Sequence, residues 1–166
     1  MNFKPCRYTF RLTLPKIVAL LCVAGVSAAL GAAAAKNMAV VVATGSKLQD
    51  MPLTELTKLC KGTQKAWPDG RSFTLIMKDP ESPEMHIVVQ KLFGMAPGEL
   101  KATMAKLNET RQMIKIVQSD EDLLHAVEAT PGSVGVLDVY AINSSVKVLR
   151  VDGKLPFDVG YALKGN

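Results

Sequence analysis

Met38-Ala39-Val40-Val41-Val42-Ala43 is an unbroken apolar run of six residues, three of them valine. A strand with one wet face alternates apolar and polar residues. A continuous run of strand length reads instead as a strand buried on both faces, which is the signature of a sheet covered by helices. The flanking sequence decides whether helices are available to cover it.

Downstream, Gly45-Ser46 breaks the run. Leu53, Leu56 and Leu59/Cys60 then recur at helical spacing. Lys58 and Lys61 suit a last turn, and Gly62 suits the left-handed position beyond it. Trp67-Pro68-Asp69-Gly70 is a turn, and Phe73 to Met77 a second strand. Ser82-Pro83 fits an N-cap followed by proline at the first helical position, with Met85, Val88/Val89 and Leu92/Phe93 as the apolar stripe and Gly94 as the stop. Pro97 opens another helix, carrying Leu100, Met104 and Leu107. Ile114 to Val117 is a short strand, and Ser119 with Asp122 resembles a capping box ahead of Leu123, Ala126 and Val127. After Thr130-Pro131-Gly132, Val134 to Asp138 and Val146 to Val151 are the last strands. Strand and helix alternate throughout, with no repeat, linker or low-complexity tract, so residues 36–166 read as one α/β domain.

Residues 1–35 differ in kind. Lys4, Arg7, Arg11 and Lys16 precede an almost unbroken apolar stretch from Ile17 to Leu30, which ends in Gly31 and four alanines. A positive start, an apolar centre and small residues at the end are the three parts of a secretory signal peptide. Cleavage is expected near Ala34 or Ala35. The competing reading is an uncleaved anchor, since a span of roughly twenty residues crosses a bilayer, but the alanine-rich tail favours cleavage. Cys22 does not mark a lipoprotein, because Leu21 stands where a small residue is needed.

The whole chain has 166 residues, a net charge of +5 and 48% apolar residues. Residues 36–166 number 131 and carry 16 basic against 15 acidic side chains, a net +1. The positive excess therefore belongs to the export segment. With few aromatic residues besides, the remainder carries no mark of nucleic-acid binding and calls for no membrane insertion after cleavage. Cys60 is the only cysteine beyond residue 35, so no internal disulfide forms there.

The residues that carry chemistry are sparse. There is no phosphate-binding loop, dinucleotide glycine fingerprint, HExxH or CxxC. His86 and His125 are far apart in sequence, and Cys60 lies on a helix's apolar stripe. A nucleophile, a base and an orienting group cannot be assembled, so the chain reads as a non-enzyme without metal or cofactor. Asp79, Glu81 and Glu84 lack the alternate spacing and glycine of a calcium loop. They read as a solvated loop with acidic residues at a helix start.

Several segments together resemble the phosphate-type periplasmic substrate-binding protein family. Leu53 to Gly62 followed by Trp67-Pro68-Asp69-Gly70 is similar to that family's helix ending in "IFLGK" and its "WPDG" turn. Phe93-Gly94-Met95-Ala96-Pro97 with Leu100 resembles its "LG-hydrophobic-SP…L" junction. Ala129 to Leu137 resembles "TPGAIGYV", and Val146 to Gly153 with Tyr161-Ala162-Leu163 resembles "VKVLxVDG…YPL". The resemblance covers nearly all of residues 36–166. It implies one three-layer-like lobe of a type II periplasmic binding protein, a mixed sheet flanked by helices, in the periplasm. It also implies phosphate or another small oxyanion as ligand, and a membrane permease or other envelope protein as partner.

The departures fall where that family holds its anion. There, the strand matching Phe73 to Met77 leads into an Arg and then a Ser-Gly-Thr helix start. Here Lys78 replaces the Arg and Ser82-Pro83-Glu84 replaces Ser-Gly-Thr. Pro83 removes an N–H donor, Glu84 adds negative charge, and a lysine cannot grip an oxyanion bidentately. Two expectations follow. One is a solute-binding module with weak or altered oxyanion binding, its site lined by Lys78, Ser82, Thr44 and Ser46. The other is a non-transport interaction or signalling-accessory protein that keeps the lobe fold without the ligand.

Overall fold

The computed structural model describes residues 36–109 and 111–165. The signal peptide expected over residues 1–35 lies outside the described residues. No described helix is long and apolar enough to cross a membrane.

Strand β1 spans Met38–Ala43 and is followed by a short β2 (Asp50–Met51), helix α1 (Leu53–Cys60) and β3 (Thr74–Met77). A helical segment then changes pitch twice: a 3₁₀ turn (Pro83–Met85), an α turn labelled α2 (His86–Val88) and a π turn (Val89–Phe93) that stops at Gly94 with φ +69. Helix α3 (Pro97–Leu107), β4 (Ile114–Ile116), α4 (Asp120–Ala129), β5 (Ser133–Asp138), a 3₁₀ turn (Val139–Ala141), β6 (Val146–Val148) and β7 (Arg150–Val151) complete it.

Five strands form one sheet in the order β4-β3-β5-β1-β6. β3 runs parallel to both β4 and β5, whereas β1 runs antiparallel to β5 and β6, so the sheet is mixed. Side chains alternate across a strand. Met38, Val40 and Val42 therefore join Leu75, Met77, Val134 and Val136 on one face, under α1 and residues 83–93. Ala39 and Val41 join Ile76 and Leu137 on the other face, under Leu123, Ala126 and Val127 of α4. Both faces of the run are dry from Met38 to Val42, which is why it contains no polar residue.

Two expected elements differ. The strand expected over 146–151 splits, because Leu149 turns into the core and β7 leaves to pair with β2 in a separate two-stranded ribbon. Ser82 does not cap the following helix through its side chain. Its Oγ donates to the Asp79 carbonyl at 2.8 Å, since the 3₁₀ start uses the Ser82 carbonyl to receive Met85 N–H instead. At α4 the expected cap holds: Ser119 Oγ accepts from Asp122 N–H at 3.0 Å.

Two turns lock together on the underside. Trp67 is buried, meets Phe73 edge-on at 5.5 Å between ring centroids, and donates from Nε1 to the Gly132 carbonyl at 2.8 Å. Two of the segments that carry the family resemblance, 67–70 and 130–132, are thus in direct contact.

Candidate functional site

The strand directions decide what converges. β3 and β5 are parallel, so Lys78, just past β3, and Asp138, ending β5, emerge at the same edge of the sheet. β1 is antiparallel, so its start, with Lys36, emerges there too. α4 begins after β4, a parallel neighbour of β3, which brings Asp120 to that edge. Glu84 reaches it from the 3₁₀ turn.

These five side chains form one network. Lys36 Nζ lies 2.8 Å from Glu84 Oε2 and 3.6 Å from Asp138 Oδ2. Lys78 Nζ pairs with Glu84 Oε1 and lies 2.8 Å from Asp120 Oδ1. Each oxygen of Glu84 is held by a different lysine. Lys78 is 15% exposed and Glu84 19%, so the pair is only partly wetted.

The protonation equilibria follow the contacts. The hydrogen bond from Lys36, then that from Lys78, holds the Glu84 carboxyl below the usual carboxylate range, against its partial burial. Burial pulls Lys78 down, but its bonds to Asp120 and Glu84 outweigh that and leave it raised. Lys36 is raised by its bond to Glu84. All three groups are charged at neutral pH.

The four residues expected to line one site do not meet. Lys78 and Ser82 lie at this edge. Thr44 and Ser46 follow the other end of β1, about 20 Å away along six residues of strand. Thr44 Oγ1 donates to the Ser145 carbonyl at 2.8 Å, Ser46 Oγ accepts from Leu48 N–H at 3.3 Å, and Lys147 Nζ donates to the Ser46 carbonyl. They tie the loop after β1 to the loop before β6. Ser82 has given its hydroxyl hydrogen to Asp79, so it offers an anion no donor in this arrangement.

Sequence reasoning found Lys78 and missed its surroundings. Glu84 is a partly buried partner of two lysines, where a solvated carboxylate was expected. Lys36, Asp120 and Asp138 carried no local signal, apart from the adjacency of Lys36 and Asp138 to strand ends. Cys60 is buried, and burial pushes its thiol far up, out of reactive range at neutral pH.

No protein-family model matches the chain, and no curated protein matches it. Solved structures do. An ABC-type phosphate transport receptor from Vibrio cholerae superposes with a TM-score of 0.63 at 14% identity, over 79% of this chain and 54% of that one. PstS from Borrelia burgdorferi gives 0.56 at 16% identity, over 80% and 55%. A phosphate ABC transporter substrate-binding protein with bound phosphate from Clostridium perfringens gives 0.56 at 14% identity, over 72% and 46%. The chain thus spans about half the length of these structures. At this identity the similarity concerns the fold: the chain is built like a single lobe of phosphate ABC transporter substrate-binding proteins.

Proposed function

We propose that this is an exported, periplasmic solute-binding-like protein related to phosphate transporter binding subunits, with weak or altered oxyanion binding. The fold supports the relation. The altered binding rests on one observation: Lys78, the cation at the expected anion site, is already committed to Glu84 and Asp120. An incoming phosphate must displace an internal carboxylate held by two lysines and then lie beside Asp120 and Asp138. Like charges at such distances oppose it.

Titration calorimetry of the purified protein with phosphate checks this. The expected result is no saturable heat below millimolar phosphate and no rise in melting temperature, because a ligand of the folded state must stabilise it. A micromolar dissociation constant would overturn the reading. Export is checked separately by the N-terminal residue of protein recovered from the envelope compartment. It is expected at Lys36 or within a residue or two; a chain retaining Met1 in the cytoplasm contradicts it.

A further inference from the structure

We propose that Lys36 and Lys78 form a two-point carboxylate clamp, that Glu84 occupies it as an internal ligand, and that the external ligand class it accepts is a small monocarboxylate rather than phosphate. The proposal rests on the preceding reading of this edge as the altered ligand site and names its chemistry.

Three observations carry it. First, the two ammonium groups grip opposite oxygens of one carboxylate, Lys36 on Oε2 at 2.8 Å and Lys78 on Oε1. That is recognition of both oxygens of one carboxylate, which a free carboxylate can reproduce. Second, the donors are held in place by their other partners: Lys78 by Asp120 at 2.8 Å and Lys36 by Asp138 at 3.6 Å. When Glu84 is taken away Lys78 keeps Asp120 as an anchor, whereas Lys36, 49% exposed, keeps only the longer approach to Asp138. Third, the charge balance selects the ligand. Counted by side chains alone, the network sets two cations against three carboxylates, a net −1. Without Glu84 it is neutral. A monoanion restores that balance, whereas the dianionic share of phosphate exceeds it with Asp120 and Asp138 alongside, and even its monoanion is tetrahedral where the Glu84 carboxylate is planar. No backbone donor offsets this at Pro83, which has no N–H.

Glu84→Ala in the exported, processed protein vacates the slot. Thermal unfolding is compared near neutral pH in chloride, formate, acetate and phosphate at matched ionic strength. In chloride the variant is expected to melt below the wild type, and formate is expected to recover at least half of that drop. Acetate should recover less, because its methyl group would fall where the Glu84 γ-carbon was, at bonding distance from the retained β-carbon, and phosphate no more than chloride. Glu84→Gln keeps the slot filled and should gain nothing from formate over chloride. If the alanine variant does not fold in chloride, folding regained in formate supports the clamp, and continued failure in formate overturns it. Formate acting no better than chloride, or equally on the glutamine variant, also overturns it. So does a larger effect of phosphate than of formate. The wild-type phosphate titration stands apart: tight phosphate binding there sinks the altered-site reading but leaves the formate result on the alanine variant to be judged by itself.

Discussion

Gly132→Ala is expected to cost about 3 kcal/mol of folding stability, a large share of the 5–15 kcal/mol typical of a domain. Gly132 has φ +82, and a side chain at that position would sit 2.6 Å from the backbone carbonyl oxygen of Ser72. A left-handed conformation costs an alanine about 1 kcal/mol. The contact costs more, because a backbone oxygen cannot rotate away as a side-chain tip can. Relieving it means parting the 130–132 turn from the 67–72 turn, and that lengthens the Trp67 Nε1 bond to the Gly132 carbonyl, now 2.8 Å. A buried indole N–H left without its acceptor costs a further ~1–3 kcal/mol. Gly70 supplies the control. Its φ is +83, nearly the same, but a side chain there would meet nothing within 4 Å. Gly70→Ala should therefore cost about 1 kcal/mol. Urea unfolding of both variants measures the difference. Equal losses would mean that the close approach of the two turns contributes nothing.

The contrast between these glycines bears on what a sequence discloses. That Gly70 and Gly132 end turns is visible from Pro68-Asp69-Gly70 and Pro131-Gly132 alone. That one turn seats the tryptophan of the other is a tertiary fact. The family resemblance places both segments in one fold without saying that they touch; the contact is seen only in the structure. The same divide runs through the candidate site. The 38–43 run disclosed that β1 is buried on both faces, because apolar periodicity is a local property. It did not disclose the direction of β1 within the sheet, since a strand dry on both faces reads alike either way. Direction decides everything at the site. Antiparallel pairing carries Thr44 and Ser46 to the far end and delivers Lys36 to Glu84. Lys36 pairs with residues 48 and 102 positions away, a separation no spacing rule covers. Lys78 and Glu84 were legible because they occupy motif positions six residues apart. The pairing between them was not, because the acidic loop 79–84 reads as solvated until the sheet edge beneath it is known. Ser82 shows a subtler limit: Ser-Pro before an apolar stripe predicts a cap, yet a tighter first turn leaves the hydroxyl to bond backward to Asp79.

Lys78→Met is expected to cost about 2 kcal/mol at neutral pH and progressively less as the pH falls below the usual carboxylate range, and this pH dependence is the decisive part. Methionine keeps the length and apolar stem of the side chain, so packing along the stem is largely retained. What is lost is the charge between Glu84 and Asp120. Breaking a fully buried pair by removing one member costs ~3–5 kcal/mol. Here the groups are 15%, 19% and 32% exposed and Glu84 keeps Lys36, so the smaller figure applies. Glu84 has its folded pKa depressed below the usual carboxylate value. Its stabilising contribution is therefore fully present above that value and is lost as pH falls through the folded pKa. Lys78 has its pKa raised above 10.5, so its own contribution is present below that value and is lost only as pH rises through the folded pKa. On the acid side the lysine stays charged while its partner is neutralised, and the wild type gives up the advantage the variant already lacks. The two stability curves are expected to approach each other as the pH falls below the usual carboxylate range. Denaturant midpoints across that range measure it. A gap that persists unchanged into acid would mean that Lys78 stabilises by its stem alone. The ion pairs at the edge of the sheet would then add nothing to folding stability.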